Sequence, residues 1–462
     1  MKRVFAVYLL LTSCVCSGQD LKQKLSAAIG LLEKDQQFSH AVISMYVVES
    51  KTGRLLYEKN AETGLAPASC QKVITSAAAL SILGKDFRYK TVIGIYDSPD
   101  TSRIFVKGSG DPSFGSSRWG HTIASTVITN IVNALKGQGI TRVGTDIIMV
   151  ENGFTYQPLP DGWVWQDIGN YYGAGAYALN WRENQYDLLL SSGNKEKEPV
   201  VIKAFDPKAA VMPIVNLLST GEKGSGDNAY IYTSPYNNSA YVTGTIPPGE
   251  NNFSISGAMP DPLFVFVKET KAALRKQGIE APEGSNISFL LGSRSIELYR
   301  DIYTITSPTL DSINFWFLRK SVNLFGEAFV KTIAKERTGT GSTDSGIAII
   351  RNFWDENGID RSALHIIDGS GLSPANRVTT HALVQVMQFA RQQPWYVSFY
   401  NALPEMNGIK MKDGYIGGVR SYTGYIKSKT GVEYTFSFIV NNYDGNAGTV
   451  REKMWRILDI LK

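Results

Sequence analysis

Pro67-Ala68-Ser69-Cys70-Gln71-Lys72-Val73-Ile74 runs into the helix-favouring stretch Ser76 to Leu80, with Gly84 as its stop. Three-residue spacing at a helix start puts the Ser69 hydroxyl and the Lys72 amine on one face, one turn apart. A lysine there acts as a base only if its amine loses the proton near neutral pH, which burial and a second nearby cation both favour. By itself Ser-x-x-Lys is a poor signal, since ordinary residue usage gives roughly one or two chance matches in a chain of this length. A second copy, Ser192-Gly193-Asn194-Lys195, lies in a polar turn-like stretch, whereas Ser69 is followed by a helix.

Two further short strings follow in order. Ser321-Val322-Asn323 lies in a helical region read from about Asp311 to Lys335, where a hydroxyl and an amide together can relay a proton and bond a substrate amide. Ser312-Ile313-Asn314 and Ser192-Gly193-Asn194 share the pattern. In a continuous helix Ser312 and Ser321 are about half a turn out of phase, so spacing leaves the choice open. Lys429-Thr430-Gly431 comes at the end of an extended segment, and lysine and threonine there can bind a carboxylate. Its rival Lys51-Thr52-Gly53 sits between two short strands and reads as a hairpin turn.

Ser69-x-x-Lys72, Ser321-x-Asn323 and Lys429-Thr430-Gly431 stand in the order found in penicillin-binding proteins and related serine hydrolases. Over about residues 25 to 462 the chain resembles the class C low-molecular-mass penicillin-binding proteins, the D-alanyl-D-alanine carboxypeptidase/endopeptidase family, peptidase family S13. Gly108-Ser109-Gly110-Asp111-Pro112 and Asp368-Gly369-Ser370-Gly371-Leu372-Ser373 also look like family segments, and Arg319-Lys320 selects Ser321. Cys70 stands where threonine is more usual, Val322 where aspartate is, and Val432-Glu433 where a small or hydroxyl residue is commoner.

The resemblance implies an α/β fold, with an antiparallel sheet flanked by helices like that of serine β-lactamases. It also implies a large insertion, matching the Gly-, Pro-, Asn- and Ser-rich texture between about 90 and 300. The expected division is residues 19–90 and 300–462 for a discontinuous catalytic domain and 91–299 for a β-rich insertion of two nested subdomains. In the implied chemistry Ser69 is the nucleophile, Lys72 its base, and Ser321 a proton relay. Asn323 binds the acyl-side amide and Lys429 and Thr430 the terminal carboxylate, while Gly431 lets substrate backbone lie close against the strand. The N-H groups of Ser69 and Val432 form the oxyanion hole. Leu372 and Tyr172 are added as residues lining the site, with a structural Gly-rich turn as the alternative for the first and packing as the plainer reading of the second. The implied partners are peptidoglycan peptides ending in or cross-linked through D-alanine, and β-lactams as covalent inhibitors. A β-lactamase or esterase shares all three motifs, and a wall-binding or penicillin-sensing protein is the alternative outside enzymes.

The rest of the sequence sets the compartment and excludes other classes. Lys2 and Arg3, the apolar run Val4 to Leu11, and small residues at Ser13, Ser17 and Gly18 have the order of a secretory signal over residues 1–18. Cleavage after Gly18 is preferred, and lipid anchoring at Cys14 competes with it. Periplasmic or other extracytoplasmic export is expected, with no transmembrane helix in the mature chain. Once Cys14 and Cys16 are removed, Cys70 is the remaining cysteine and no internal disulfide forms. The four histidines have no ligand spacing, so no metal or cofactor is expected. With 47 basic against 42 acidic residues and no basic run, no nucleic acid is expected. Val450, Met454, Ile457, Leu458 and Leu461 form a closing amphipathic stripe, read as a cover for a sheet rather than a membrane anchor.

Overall fold

A computed structural model describes residues 20–96, 102–150, 153–283, 286–290 and 299–462. The signal segment, with Cys14 and Cys16, lies outside the described residues. The chain divides into two compact units.

The first unit comprises the described residues through Ile82, Asn314–Ser321 and Ile347–Lys462. Its sheet has six strands in the spatial order Glu405–Met406, Ile409–Ile416, Val419–Lys427, Glu433–Asn441, Val42–Glu49 and Leu55–Lys59, all antiparallel. Two short strands do flank Lys51-Thr52-Gly53, and the extended segment leading to Lys429 ends at Lys427. Lys51-Thr52-Gly53 turns the hairpin, with Gly53 at φ +69°.

One face of this sheet carries Met45, Val47, Met411, Phe436 and Phe438. The helix over residues 20–33 covers it with Leu25, Ile29 and Leu32, and the helix Ala447–Leu458 with Val450, Met454 and Leu458. The closing stripe is therefore core, and each fully buried aliphatic side chain contributes about 2 kcal/mol. On the other face, helix Thr380–Arg391 lies against the sheet, and the Tyr425 hydroxyl donates to Met387 O at 2.8 Å. Helix Lys72–Ile82 packs on Thr380–Arg391 and is buried at every position from Lys72 to Leu80, where alanines allow close approach on all sides.

The second unit comprises Leu83–Ile313 and Val322–Gly346. Its main sheet runs in the order Asn286–Leu290, Val143–Val150, Ser102–Lys107, Lys90–Tyr96 and Arg300–Thr306. The first two pairings are parallel, and parallel neighbours need a long crossover. Helix Ala124–Gly137 makes the crossover from Ser102–Lys107 to Val143–Val150, burying Val127, Ile131 and Leu135 against Ile93, Ile104 and Val106. Two three-stranded sheets complete the unit: Ile214–Thr220, Ala240–Ile246 and Asn228–Tyr232, then Phe253–Ala258, Gln185–Ser191 and Val201–Asp206.

The helical region read as continuous from Asp311 to Lys335 is broken. Helix Leu310–Arg319 ends before Ser321, which has φ +57°, and a new helix Asn323–Thr338 follows. Half-turn phasing across 312 to 321 therefore does not apply. Among the described residues no helix is long and apolar enough to cross a membrane.

Candidate active site

Between Leu65 and Leu80 every residue is buried except Ser69, which is partly exposed. Ala68 holds φ +45°, a conformation unusual for a residue with a Cβ, and starts the 3-10 turn Ala68–Gln71 that continues into helix Lys72–Ile82. The helix spacing delivers the expected contact, with Lys72 Nζ 2.9 Å from Ser69 Oγ. Lys72 is fully buried, its Nζ also donates to Ser370 O at 2.7 Å, and it lies 5.8 Å from the Phe317 ring centre.

Ser370 belongs to the Gly-rich loop Asp368 to Ser373, which buried Asp368 organises. Its carboxylate accepts from the N-H groups of Gly371 (2.8 Å) and Ser373 (2.7 Å), and from Asn376 Nδ2 and Gln71 Nε2, both at 2.9 Å. Thr75 Oγ1 ties the same loop to the nucleophile helix through Gly369 O at 2.7 Å. At Gly371, φ is +80° and an added Cβ would sit 2.0 Å from Ala68 O, so only glycine fits. Leu372 is buried within this loop.

Ser321 ends the Asn314–Ser321 segment of this unit. Its rival string is already in use: Ser312 Oγ accepts from Trp119 Nε1 at 2.8 Å, and Asn314 Oδ1 accepts from Ser76 Oγ at 2.7 Å. Asn323 and Tyr172 belong to the second unit, where Asn323 Nδ2 donates to Tyr172 O at 2.8 Å. Tyr172 thus meets Asn323 through its backbone, while burial and the nearby Asp167 push its phenol well up.

Lys429, Thr430, Gly431 and Val432 are not brought to Ser69. They form the turn between strands Val419–Lys427 and Glu433–Asn441. Lys429 is exposed and its N-H donates to Lys462 O at 2.6 Å, while Thr430 Oγ1 bonds Ser428 Oγ at 2.8 Å. Val432 N donates to Ser428 Oγ at 3.1 Å, and Gly431, at φ +86°, has open space where a Cβ would stand. Strand Val419–Lys427 meets the nucleophile turn at its opposite end, where Ser421 Oγ donates to Pro67 O at 2.5 Å. From Ser421 to Lys427 the strand spans roughly 20 Å.

The strand that does reach Ser69 is Ile409–Ile416, and it carries Lys412-Asp413-Gly414. A Cβ on Gly414 would lie 2.6 Å from Pro67 O and 2.9 Å from Ser69 N, so the two backbones are in contact. Cys70 Sγ donates to Lys412 O at 3.1 Å. The Lys412 side chain is buried, with Nζ 2.7 Å from Asp413 O and 3.0 Å from Asp413 Oδ1, and Arg420 is 3.9 Å from that carboxylate. Burial pushes the Asp413 carboxyl up, but Lys412 and Arg420 outweigh it and hold the group below the usual range. Lys412 and Gly414 are the residues against the Ser69 turn that sequence reading passed over. The signal was a glycine inside a strand, which marks close approach of another backbone.

Burial raises the Cys70 thiol to about 11. Since the thiolate is the reactive form, iodoacetamide at pH 8 is expected to leave the native protein unlabelled at Cys70 and to label it after unfolding. Rapid native labelling, located at Cys70 by peptide mass, would contradict that packing.

A D-alanyl-D-alanine carboxypeptidase of Actinomadura sp. (strain R39) is 25% identical, over 93% of this chain and 83% of its own. D-alanyl-D-alanine carboxypeptidase DacB of Haemophilus influenzae is 19% identical over 84% of this chain and 83% of its own. The crystal structure of penicillin binding protein 4 from H. influenzae superposes with a TM-score of 0.78 at 18% identity, covering 96% of this chain and 99% of that one. The fold is therefore that α/β class, an antiparallel sheet with flanking helices. Residues 25–460 match the family described as D-Ala-D-Ala carboxypeptidase 3 (S13), so this chain belongs to that family of serine-type carboxypeptidases.

Proposed function

We propose that the chain is an exported D-alanyl-D-alanine carboxypeptidase and endopeptidase, acting on peptidoglycan stem peptides and cross-links through an acyl-enzyme on Ser69. The observation that carries this reading is the pair Ser69–Lys72, an accessible hydroxyl 2.9 Å from an amine with no solvent exposure. Lys72, held by Ser370 O, takes the hydroxyl proton as Ser69 Oγ attacks the carbonyl carbon of the penultimate D-alanine. The C–N bond breaks, and the proton passes through Ser321 to the departing amine. Water then attacks the ester carbonyl and gives its proton to Lys72, and as the C–O bond to Ser69 breaks Lys72 returns that proton to Ser69 Oγ. For Asn323 we keep the role the resemblance implies, a hydrogen bond to the acyl-side amide.

The terminal carboxylate is assigned to Lys412 in place of Lys429, because the strand bearing Lys412 is the one in contact with Ser69. The oxyanion hole is assigned to the N-H groups of Ser69 and of Tyr415, the residue after Gly414, in place of Val432. Export rests on the charged, apolar and small-residue order of residues 1–18. Penicillin binding has support in a relative: penicillin binding protein 4 of H. influenzae has also been solved in complex with a β-lactam.

The test is intact mass after incubation with benzylpenicillin, wild type beside Ser69→Ala. A stable adduct confined to wild type is the expected result. Hydrolysed penicillin without an adduct would mark a β-lactamase. No reaction at all would leave a wall-binding protein as the better reading.

A further inference from the structure

The second unit holds a groove of about 850 Å³ that the catalytic reading does not use. Its walls are helices Ala124–Gly137 and Pro262–Lys276, and the turn bearing Lys208 and Ala209 closes one side. Six cations line it, Arg182, Lys208, Lys268, Lys271, Arg275 and Lys276, against two carboxylates, Glu269 and Glu283. That is a local balance of +4 in a chain whose whole balance is +5. The concentration arises from periodicity: Lys268, Lys271 and Arg275 recur at i, i+3 and i+7 on one helix face.

Some of this charge is already engaged. Arg182 is paired with Glu269 at 2.8 Å, Arg275 Nη1 donates to Ala281 O at 3.0 Å, Lys268 lies 5.1 Å from the Phe264 ring centre, and Lys271 is buried. Lys208 and Lys276 are exposed at the rim. The floor is apolar, formed by Ile128, Phe264, Ala272 and Ala273. A volume within the roughly 300–1,000 Å³ of ordinary ligand sites, with an apolar floor under a cationic rim, fits an anion that also carries aliphatic groups.

We propose that this groove binds a short peptide bearing several free carboxylates and small aliphatic side chains, a second, uncleaved stem peptide of the same wall polymer. The proposal rests on the reading of the substrate given above. A phosphate polymer would use the cations but not the floor, which is why the peptide is favoured. Bound there, the peptide holds the enzyme on a polymer that displays many copies of it and raises the local concentration of cleavable ends.

The test is isothermal titration of full-length Ser69→Ala with three probes: alanyl-γ-glutamyl-glutamate, tripolyphosphate, and N-acetyl-trialanine amide as the uncharged control. The tripeptide has no D-alanyl-D-alanine end. It should bind, weaken as salt rises, and bind at least about tenfold more weakly when Lys208→Glu and Lys276→Glu are added. N-acetyl-trialanine amide should not bind. The proposal is overturned if the tripeptide fails to bind, if it binds the charge-reversed protein equally well, or if only tripolyphosphate binds, which would assign the groove to a phosphate ligand. In a background retaining Ser69, the same two charge reversals should leave penicillin acylation at the wild-type rate. A protein with no acylation in either background would instead count against the catalytic reading and leave the groove to be judged by titration.

Discussion

Lys72→Met is expected to slow acylation by benzylpenicillin about 10³-fold or more while leaving the protein folded. The expectation follows from what Lys72 touches. Its amine bonds the Ser69 hydroxyl and the Ser370 carbonyl from a fully buried position, so no water replaces it as proton acceptor at that spot. General-base catalysis of this kind is worth about 10²–10⁴ in rate, and here the same group also returns the proton. Methionine keeps most of the side-chain volume, so no large cavity forms, and it removes a buried polar group whose desolvation opposes folding. Stopped acylation with an unchanged melting temperature separates a chemical role from a structural one. Labelling at the wild-type rate would mean that another group activates Ser69. A large fall in melting temperature would mean that the bond to Ser370 O mainly holds the loop.

The parts of this molecule legible in the sequence are those fixed by neighbours in the chain. Ser69 and Lys72 meet because a helix turn brings i and i+3 together, whatever the rest of the protein does. The closing stripe of Val450, Met454 and Leu458 could be read because a 3.6-residue period needs only one helix and one surface to cover. The helix break at Ser321 was not legible. Arg319-Lys320-Ser321-Val322 contains neither glycine nor proline, and Ser321 takes a positive φ that sequence alone does not announce.

The third motif failed for a related reason. Lys429-Thr430-Gly431 matches the family string letter for letter, but its glycine serves a hairpin turn. Lys412-Asp413-Gly414 lacks the hydroxyl residue, and what qualifies it is a contact between segments more than 300 positions apart: Cys70 with Lys412 O, and Gly414 with the backbone of Pro67 and Ser69. Sheet order creates that contact, and a string search does not see it.

Lys412 and Lys429 therefore give the second large prediction, as a pair. Lys412→Met should lower kcat/KM for a peptide ending in D-alanyl-D-alanine by about 10²-fold, since a charged hydrogen bond to a carboxylate is worth roughly 1.5–3 kcal/mol. Lys429→Met should stay within about twofold of wild type, because an exposed turn lysine on the far side of its strand has no carboxylate to hold. The loss at Lys412 should be smaller on a substrate whose terminal carboxylate is amidated, which distinguishes lost recognition from a disturbed strand. Asp413 sharpens the comparison. Its ionised carboxylate already contacts Lys412 Nζ at 3.0 Å, so part of the ammonium's charge is spent before substrate arrives. Asp413→Thr frees that ammonium and should tighten binding of the carboxylate-ended peptide, seen as a lower KM. If Lys429→Met instead carries the loss and Lys412→Met is silent, the substrate lies along a different strand, and the assignment built on the Gly414–Ser69 contact falls with it.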